Sequence, residues 1–158
     1  EIDTRDWSSD VCSSDLQFLV EVFGQILKAE AACLAGKDLS LRELHLIDAV
    51  CRAVDQGGDN RSTAIAAALG ITAGTLTSAV NLLEKKGYLL RRRDERDKRV
   101  VHLLPTERGR AADARHRDFH RQMVAHVLDG LTDEEAECTL RALGRVAEFF
   151  RRGAPERG

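Results

Sequence analysis

The chain has 158 residues, a formal net charge of −2, 43% hydrophobic and 32% charged residues, and only 4% aromatic residues. This is the size of one domain with a real but modest core and the balance of a soluble helical protein; no apolar run approaches the ~18 residues of a membrane span, and no signal peptide is read. The four cysteines, Cys12, Cys33, Cys51 and Cys138, lack the paired spacing of a disulfide or metal framework, which fits a reducing cytoplasm.

Residues 1–16 are polar, rich in Ser and Asp, and show no helical period. The run D-W-S-S-D-V-C-S-S-D-L looks like the translation of a sequencing-library adapter. Residues 1–16 are therefore set apart as a non-native, adapter-derived or disordered segment, and 17–158 are read as a single domain. The set-apart segment holds five acids and one base, so 17–158 carries +2, a balance better suited to nucleic acid.

An amphipathic helix is predicted from Phe18 to Leu34. Leu19, Val22, Ile26 and Cys33 fall near one stripe, widened by Phe18, Phe23 and Leu27, and Gly36 closes it. Ser40 then caps a helix beginning at Leu41, with Glu43 completing a capping box and Leu44, Ile47 and Cys51 on the inner face. The loop D-Q-G-G-D-N leads to the segment around which the chain is organised, residues 61–104.

That segment reads as two short helices joined by a tight turn, followed by a β-hairpin. The first helix, Ser62 to Leu69, carries the small Ala66, over which another helix can cross closely. Gly70 supplies the positive φ that the turn needs. Thr72 is the N-cap of the second helix, whose Leu76, Ala79, Val80 and Leu83 share Thr72's face. Opposite lie Gly74, Thr77, Ser78, Asn81 and Lys85. An apolar back with a front of small polar groups suits a helix laid in the DNA major groove. Gly87 ends this helix. Tyr88 to Arg92 and Arg99 to Leu104 are read as strands around the charged tip R-D-E-R-D-K. From Lys85 to Arg99 there are eight basic and three acidic residues. A basic hairpin beside such a helix is the wing of a winged helix-turn-helix, placed to reach phosphates or the minor groove.

Beyond the wing, Pro105 stops the strand and Thr106 caps a long helix reaching about Leu128, ended by Asp129–Gly130. Thr132 and Glu135 form a second capping box. The last helix spaces Ala136, Leu140, Leu143, Ala147 and Phe150 alternately four and three apart, a heptad seam, with Val146 and Phe149 as a second apolar edge. A short helix this apolar needs a partner.

The Ala66–Gly70–Leu76 spacing alone is moderately specific. Together with the hairpin, its D-E-R-D-K-R tip and the following L-L-P-T-E-R-G, the chain resembles the MarR family of bacterial transcription regulators from Gln17 to about Arg152. The runs L-S-L-R-E-L-H-L-I-D, T-A-G-T-L-T-S-A-V-N-L-L-E-K-K-G-Y, D-K-R-V-V-H-L and H-R-D-F-H-R-Q-M-V resemble its fatty-acid-synthesis repressor (FabT-like) branch. The resemblance implies a mainly α fold with a small β-wing and an intertwined helical homodimer, in which 17–36 and 132–152 dimerise. It also implies a long acyl chain, delivered on acyl carrier protein, as corepressor.

A two-fold dimer presents two recognition helices to a pseudo-palindromic site on double-stranded DNA, with half-sites about 34 Å apart. Thr77, Ser78 and Asn81 are the candidates for base edges, the Thr72 and Thr75 hydroxyls for phosphates at the helix N-terminus, and Lys85 is a further DNA-binding candidate on the same face. Arg96 at the wing tip is the minor-groove candidate, Lys98 and Arg99 are phosphate candidates, and Asp97 is expected to steer a neighbouring arginine by an ion pair. Phe23, His45, Phe119 and Met123 are candidates to line a ligand pocket. His116 and His120 share a helix face at i, i+4, but with no matching carboxylate or cysteine cluster in sequence, these and His45 and His126 are read as solvated or core histidines. No metal or cofactor is expected. No nucleophile–base pair or phosphate loop marks an enzyme. The alternative is a regulator of the same fold responding to a small aromatic ligand or to oxidation of Cys33, Cys51 or Cys138, which sit in apolar stripes where cysteine behaves as a buried hydrophobe.

Overall fold

The computed structural model describes residues 9–33 and 38–152. The Gly36 helix stop and the side chains of Phe18, Leu19, Cys33, Phe149 and Phe150 lie outside the described residues. Six helices and one hairpin follow in the order α1 (Ser9–Cys33), α2 (Leu41–Asp55), α3 (Ser62–Ala68), α4 (Ala73–Lys85), β1 (Leu89–Arg93), β2 (Val101–Pro105), α5 (Glu107–Leu128) and α6 (Asp133–Arg152). Among the described residues no single helix is long and apolar enough to cross a membrane. The contacts divide the chain into two units, Glu1–Phe119 and His120–Gly158.

In the first unit, local signals set the helix ends. The Ser40 hydroxyl accepts from the Glu43 amide, and the Glu43 carboxylate accepts from the Ser40 amide at 2.7 Å, a complete capping box. Gly70 and Gly87 take φ of 63° and 76°. At each, the N–H of the following residue reaches back to close the helix: Ile71 to the Ala66 carbonyl at 3.1 Å, Tyr88 to Leu83 at 2.8 Å. The chain turns by 108° between α3 and α4, the geometry of a helix-turn-helix. The core joins Leu44, Ile47, Val50 and Cys51 of α2 to Ile65 and Ala66 of α3, Leu76, Val80 and Leu83 of α4, Leu89 and Leu103 of the hairpin and Ala112 of α5.

Three element starts differ from the sequence reading. Helix α1 begins at Ser9 and not at Phe18; once a helix is nucleated, extension adds one hydrogen bond per residue fixed and needs little help from the added sequence. Tyr88 belongs to the cap of α4, so β1 starts at Leu89. Arg99 and Val100 belong to the wing turn, because their amides donate to the Asp97 carboxylate and carbonyl at 3.0 and 2.9 Å, so β2 starts at Val101. The strands pair antiparallel, Leu89 opposite Pro105 and Arg93 opposite Val101, and Arg61 adds an isolated bridge to His102.

The run P-T-E-R-G, part of the family resemblance, has a physical account. Pro105 ends the strand, and the Thr106 hydroxyl accepts from the Gly109 amide at 3.0 Å while donating to the Gly87 carbonyl at 2.8 Å. Arg108 lies 4.3 Å above the Tyr88 ring and donates to Asp38 at 3.0 Å, and the Tyr88 hydroxyl donates to the same carboxylate at 2.6 Å. Gly109 is required because a β-carbon there would collide with the Tyr88 carbonyl oxygen. The α4 cap, the wing and the start of α5 are thereby locked together.

In the second unit, α6 is opened by the expected capping box, with the Thr132 amide donating to Glu135 at 2.9 Å. Leu140 and Leu143 of its heptad seam are 59% and 52% exposed in the single chain. Cys138 on the same helix is exposed, which corrects its reading as a buried hydrophobe: it lies between the seam positions Ala136 and Leu140 and points away from them.

Candidate nucleic-acid interface

Helix α4 presents the predicted face. Leu76, Val80 and Leu83 are buried behind it, and Thr72, Thr75, Thr77, Ser78, Asn81 and Lys85 are all exposed. The polar groups are not equally available. The Thr72 hydroxyl accepts from the Thr75 amide at 3.2 Å and lies 2.9 Å from the Thr75 hydroxyl, so these two pair with each other at the helix start. The Ser78 hydroxyl donates back to the Gly74 carbonyl at 3.2 Å.

Asn81 is oriented by a residue that the sequence reading missed. Arg91, on β1, donates from Nη1 to Asn81 Oδ1 at 2.6 Å and to Glu84, and from Nη2 to the Thr77 carbonyl at 3.1 Å. Its own amide donates to Glu84 at 2.9 Å. The guanidinium thus ties the wing to the recognition helix. It occupies the amide oxygen of this exposed Asn81, so that what the side chain has left to offer is the NH₂ donor. Donors suit the acceptor positions of the major groove, O6 and N7 of guanine, N7 of adenine and O4 of thymine. Charge counting places Arg91 in the basic cluster; only the fold shows it turned inward. Lys86 is likewise withdrawn, paired with Glu43 at 2.7 Å. Burial pushes the Glu43 carboxyl up, but the Lys86 and Ser40 hydrogen bonds outweigh it and hold the carboxyl below its ordinary value.

The wing tip is a built turn. Asp94 Oδ1 accepts from the amides of Arg96 at 2.8 Å and Asp97 at 3.0 Å, and these amides, Asp97's first, hold the Asp94 carboxyl below the usual carboxylate range. Behind it, His102 places one ring nitrogen 3.3 Å from Asp94 and the other 2.8 Å from Asn60 Oδ1, while the Asn60 NH₂ donates to the Leu103 carbonyl. The arginine that Asp97 steers is Arg99, at 3.1 Å, and that side chain is 92% exposed. Arg96 and Lys98 are exposed beside it. A cleft of about 460 Å³ lined by Arg61, Thr63, Thr77, Asn81, Arg91 and Arg99 joins the helix face to the wing.

Phe23 is half exposed on α1, and Phe119 and Met123 are half-buried on α5. His45 lines a separate, mostly apolar groove of about 330 Å³ with Leu46, Leu69, Ile71 and Ala79, which neither Phe23 nor Phe119 borders. Cys51 is fully buried, and burial, followed by the charge of Asp113, pushes its thiol up to about 12, so it forms little thiolate at neutral pH.

Comparison with known proteins places this geometry. A sequence model of the MarR family matches residues 50–101. Two proteins of Bacillus subtilis (strain 168), the uncharacterized HTH-type transcriptional regulators YwhA and YcgE, are each 31% identical to this chain. The matches run over 72 and 85 residues, 46% and 51% of this chain. They take in 52% and 53% of those proteins, so the chain spans about half the length of these curated relatives. Among solved structures, Streptococcus pneumoniae FabT in complex with DNA is similar with a TM-score of 0.80 and 34% identity over 89% of this chain and 97% of that one. The S. aureus MepR–DNA complex is similar with a TM-score of 0.68 over 90% and 99%, and at 19% identity it speaks for the fold alone. With a 34% identical relative matched over nearly its whole length, the chain belongs to the MarR family of winged helix-turn-helix transcription regulators.

Proposed function

We propose that this chain is a sequence-specific DNA-binding repressor of fatty-acid-synthesis genes, acting as a homodimer on a pseudo-palindromic operator and modulated by a long acyl chain carried on acyl carrier protein. The observation that carries the DNA reading is the pairing of the exposed polar face of α4 with a wing whose Arg91 fixes Asn81 and whose Asp97 fixes Arg99. Asn81 and Thr77 read base edges, Arg99 and Arg96 enter the minor groove or meet its phosphates, and Lys85 and Lys98 meet backbone phosphates. The likeness to FabT supports the fatty-acid branch. The half-exposed leucines of α6 and the exposed Val20 and Leu27 of α1 support a partner chain on those faces. The buried, high-pKa Cys51 speaks against that thiol as an oxidation sensor.

The test is binding of the full chain to a palindromic probe from a fatty-acid-synthesis promoter, with and without long-chain acyl carrier protein. Tighter binding with the acylated carrier supports the corepressor reading. Specific binding that ignores the carrier retains the regulator and discards the acyl ligand.

A further inference from the structure

Glu30 on α1 is buried, with its side chain 5% exposed, and it faces two imidazoles. His116 on α5, 8% exposed, places Nε2 3.3 Å from Glu30 Oε1. His45 on α2 places Nε2 4.0 Å from the same oxygen. The two rings have centroids 5.5 Å apart and planes tilted by 48°. This is the carboxylate that the sequence did not show beside the histidines, because it comes from a residue 86 positions before His116.

We propose that Glu30, His45 and His116 form a binding site for a divalent transition metal ion of the zinc class. Two donors on a tetrahedral ion, each bound at about 2.0–2.1 Å, lie about 3.3–3.4 Å from one another. The Glu30–His116 separation already has that value, and the His45 nitrogen stands about 0.7 Å beyond it from the same carboxylate oxygen. One carboxylate oxygen and two imidazole nitrogens form a borderline ligand set, one that calcium and magnesium, which take oxygen, do not favour. Among the described residues no sulfur joins it, so it does not select copper(I). An ion offsets the desolvation of the buried Glu30 and His116. His45 is 45% exposed, which gives the ion a path in. In the sequence, His120 follows His116 by one helical turn, the i, i+4 spacing with which one helix offers two imidazoles to one ion. Bound metal ties α1 to α2 and α5, and this site stands independently of the acyl-ligand reading.

The experiment is titration of the full chain with Zn²⁺ against a chromophoric chelator, with Co²⁺ as a spectroscopic substitute. The expected result is one ion per chain and visible cobalt bands without thiolate-to-metal charge transfer. Glu30→Gln and His116→Gln each lower the affinity by about 100-fold or more, since even outer-shell changes cost 10- to 100-fold. His126→Gln, exposed on α5, leaves it unchanged. If the buried variants fail to fold, judged by far-UV circular dichroism, the half-exposed His45→Gln decides, with an expected loss of at least about tenfold. Absence of stoichiometric binding, equal binding by the Glu30, His45 and His116 variants, or a thiolate band assigning the ion to cysteines overturns the proposal.

Discussion

Replacing Arg91 with Gln separates positioning from contact in the recognition helix. The guanidinium is 27% exposed and its Glu84 partner 31%, so this cluster lies between a surface ion pair and a sheltered one. Hydrogen bonds to charged groups contribute about 1.5–3 kcal/mol when sheltered, and exposed pairs less than about 1 kcal/mol. Discounting for exposure, the loss of the whole Arg91 set costs about 1–2 kcal/mol, a fall in Tm of about 2–8 °C for a chain of this size. The effect on DNA is larger than the effect on stability. Asn81, no longer held through its oxygen, loses its fixed donor direction, and one base contact carries about 1–3 kcal/mol of discrimination. Operator affinity should therefore fall about ten- to a hundredfold, while binding to scrambled DNA and the slope of log K against log salt stay the same, because no phosphate contact has been removed. Fluorescence anisotropy with operator and scrambled duplexes over a range of salt concentrations measures all three. A slope reduced by about one, with equal losses on both duplexes, would refute the reasoning and make Arg91 a phosphate ligand.

Other expectations follow from the same geometry. Arg96→Ala and Arg99→Ala should each weaken operator binding and lower the salt slope by about one unit; an unchanged slope removes that residue from the contact list. Gly109→Ala forces a β-carbon against the Tyr88 carbonyl and should cost about 1–3 kcal/mol in denaturant melts, with wing amides exchanging faster with solvent; a neutral result means the wing can move off α5 freely. Acidification should lower Tm. The carboxyls of Asp38, Asp55, Asp59, Asp94 and Asp97 are held below their usual 3.8, Asp59 at about 2, so what they add to stability is complete above 3.8 and is lost as pH falls through those depressed values. Asp113 is shifted the other way by burial; its contribution is complete below 3.8 and is lost as pH rises through its raised value. Asp113→Asn should therefore steepen the acid loss, and a Tm that climbs on acidification contradicts this assignment. Leu140→Glu with Leu143→Glu should convert a dimer to a monomer in analytical ultracentrifugation and abolish operator binding; an unaltered sedimentation coefficient moves the interface elsewhere.

The signals legible in the sequence were those written within one or two turns of chain. The capping boxes at Ser40–Glu43 and Thr132–Glu135, the Thr72 cap, the positive φ at Gly70 and Gly87, and the apolar back of α4 each depend on residues three or four apart, so spacing alone determined them. The strand pattern and the basic cluster from Lys85 to Arg99 likewise marked the wing and its place beside the helix. What only the tertiary structure decided involves partners far apart in sequence, whose meeting depends on how elements dock. Arg91 and Asn81 meet because β1 returns along α4. Gly109 is required by a carbonyl 21 residues earlier, at Tyr88. The Glu30 carboxylate reaches His116 across 86 residues. Side-chain type and periodicity set which face a residue presents; the packing of one face on another sets which charges are used up inside the fold and which remain free to meet DNA.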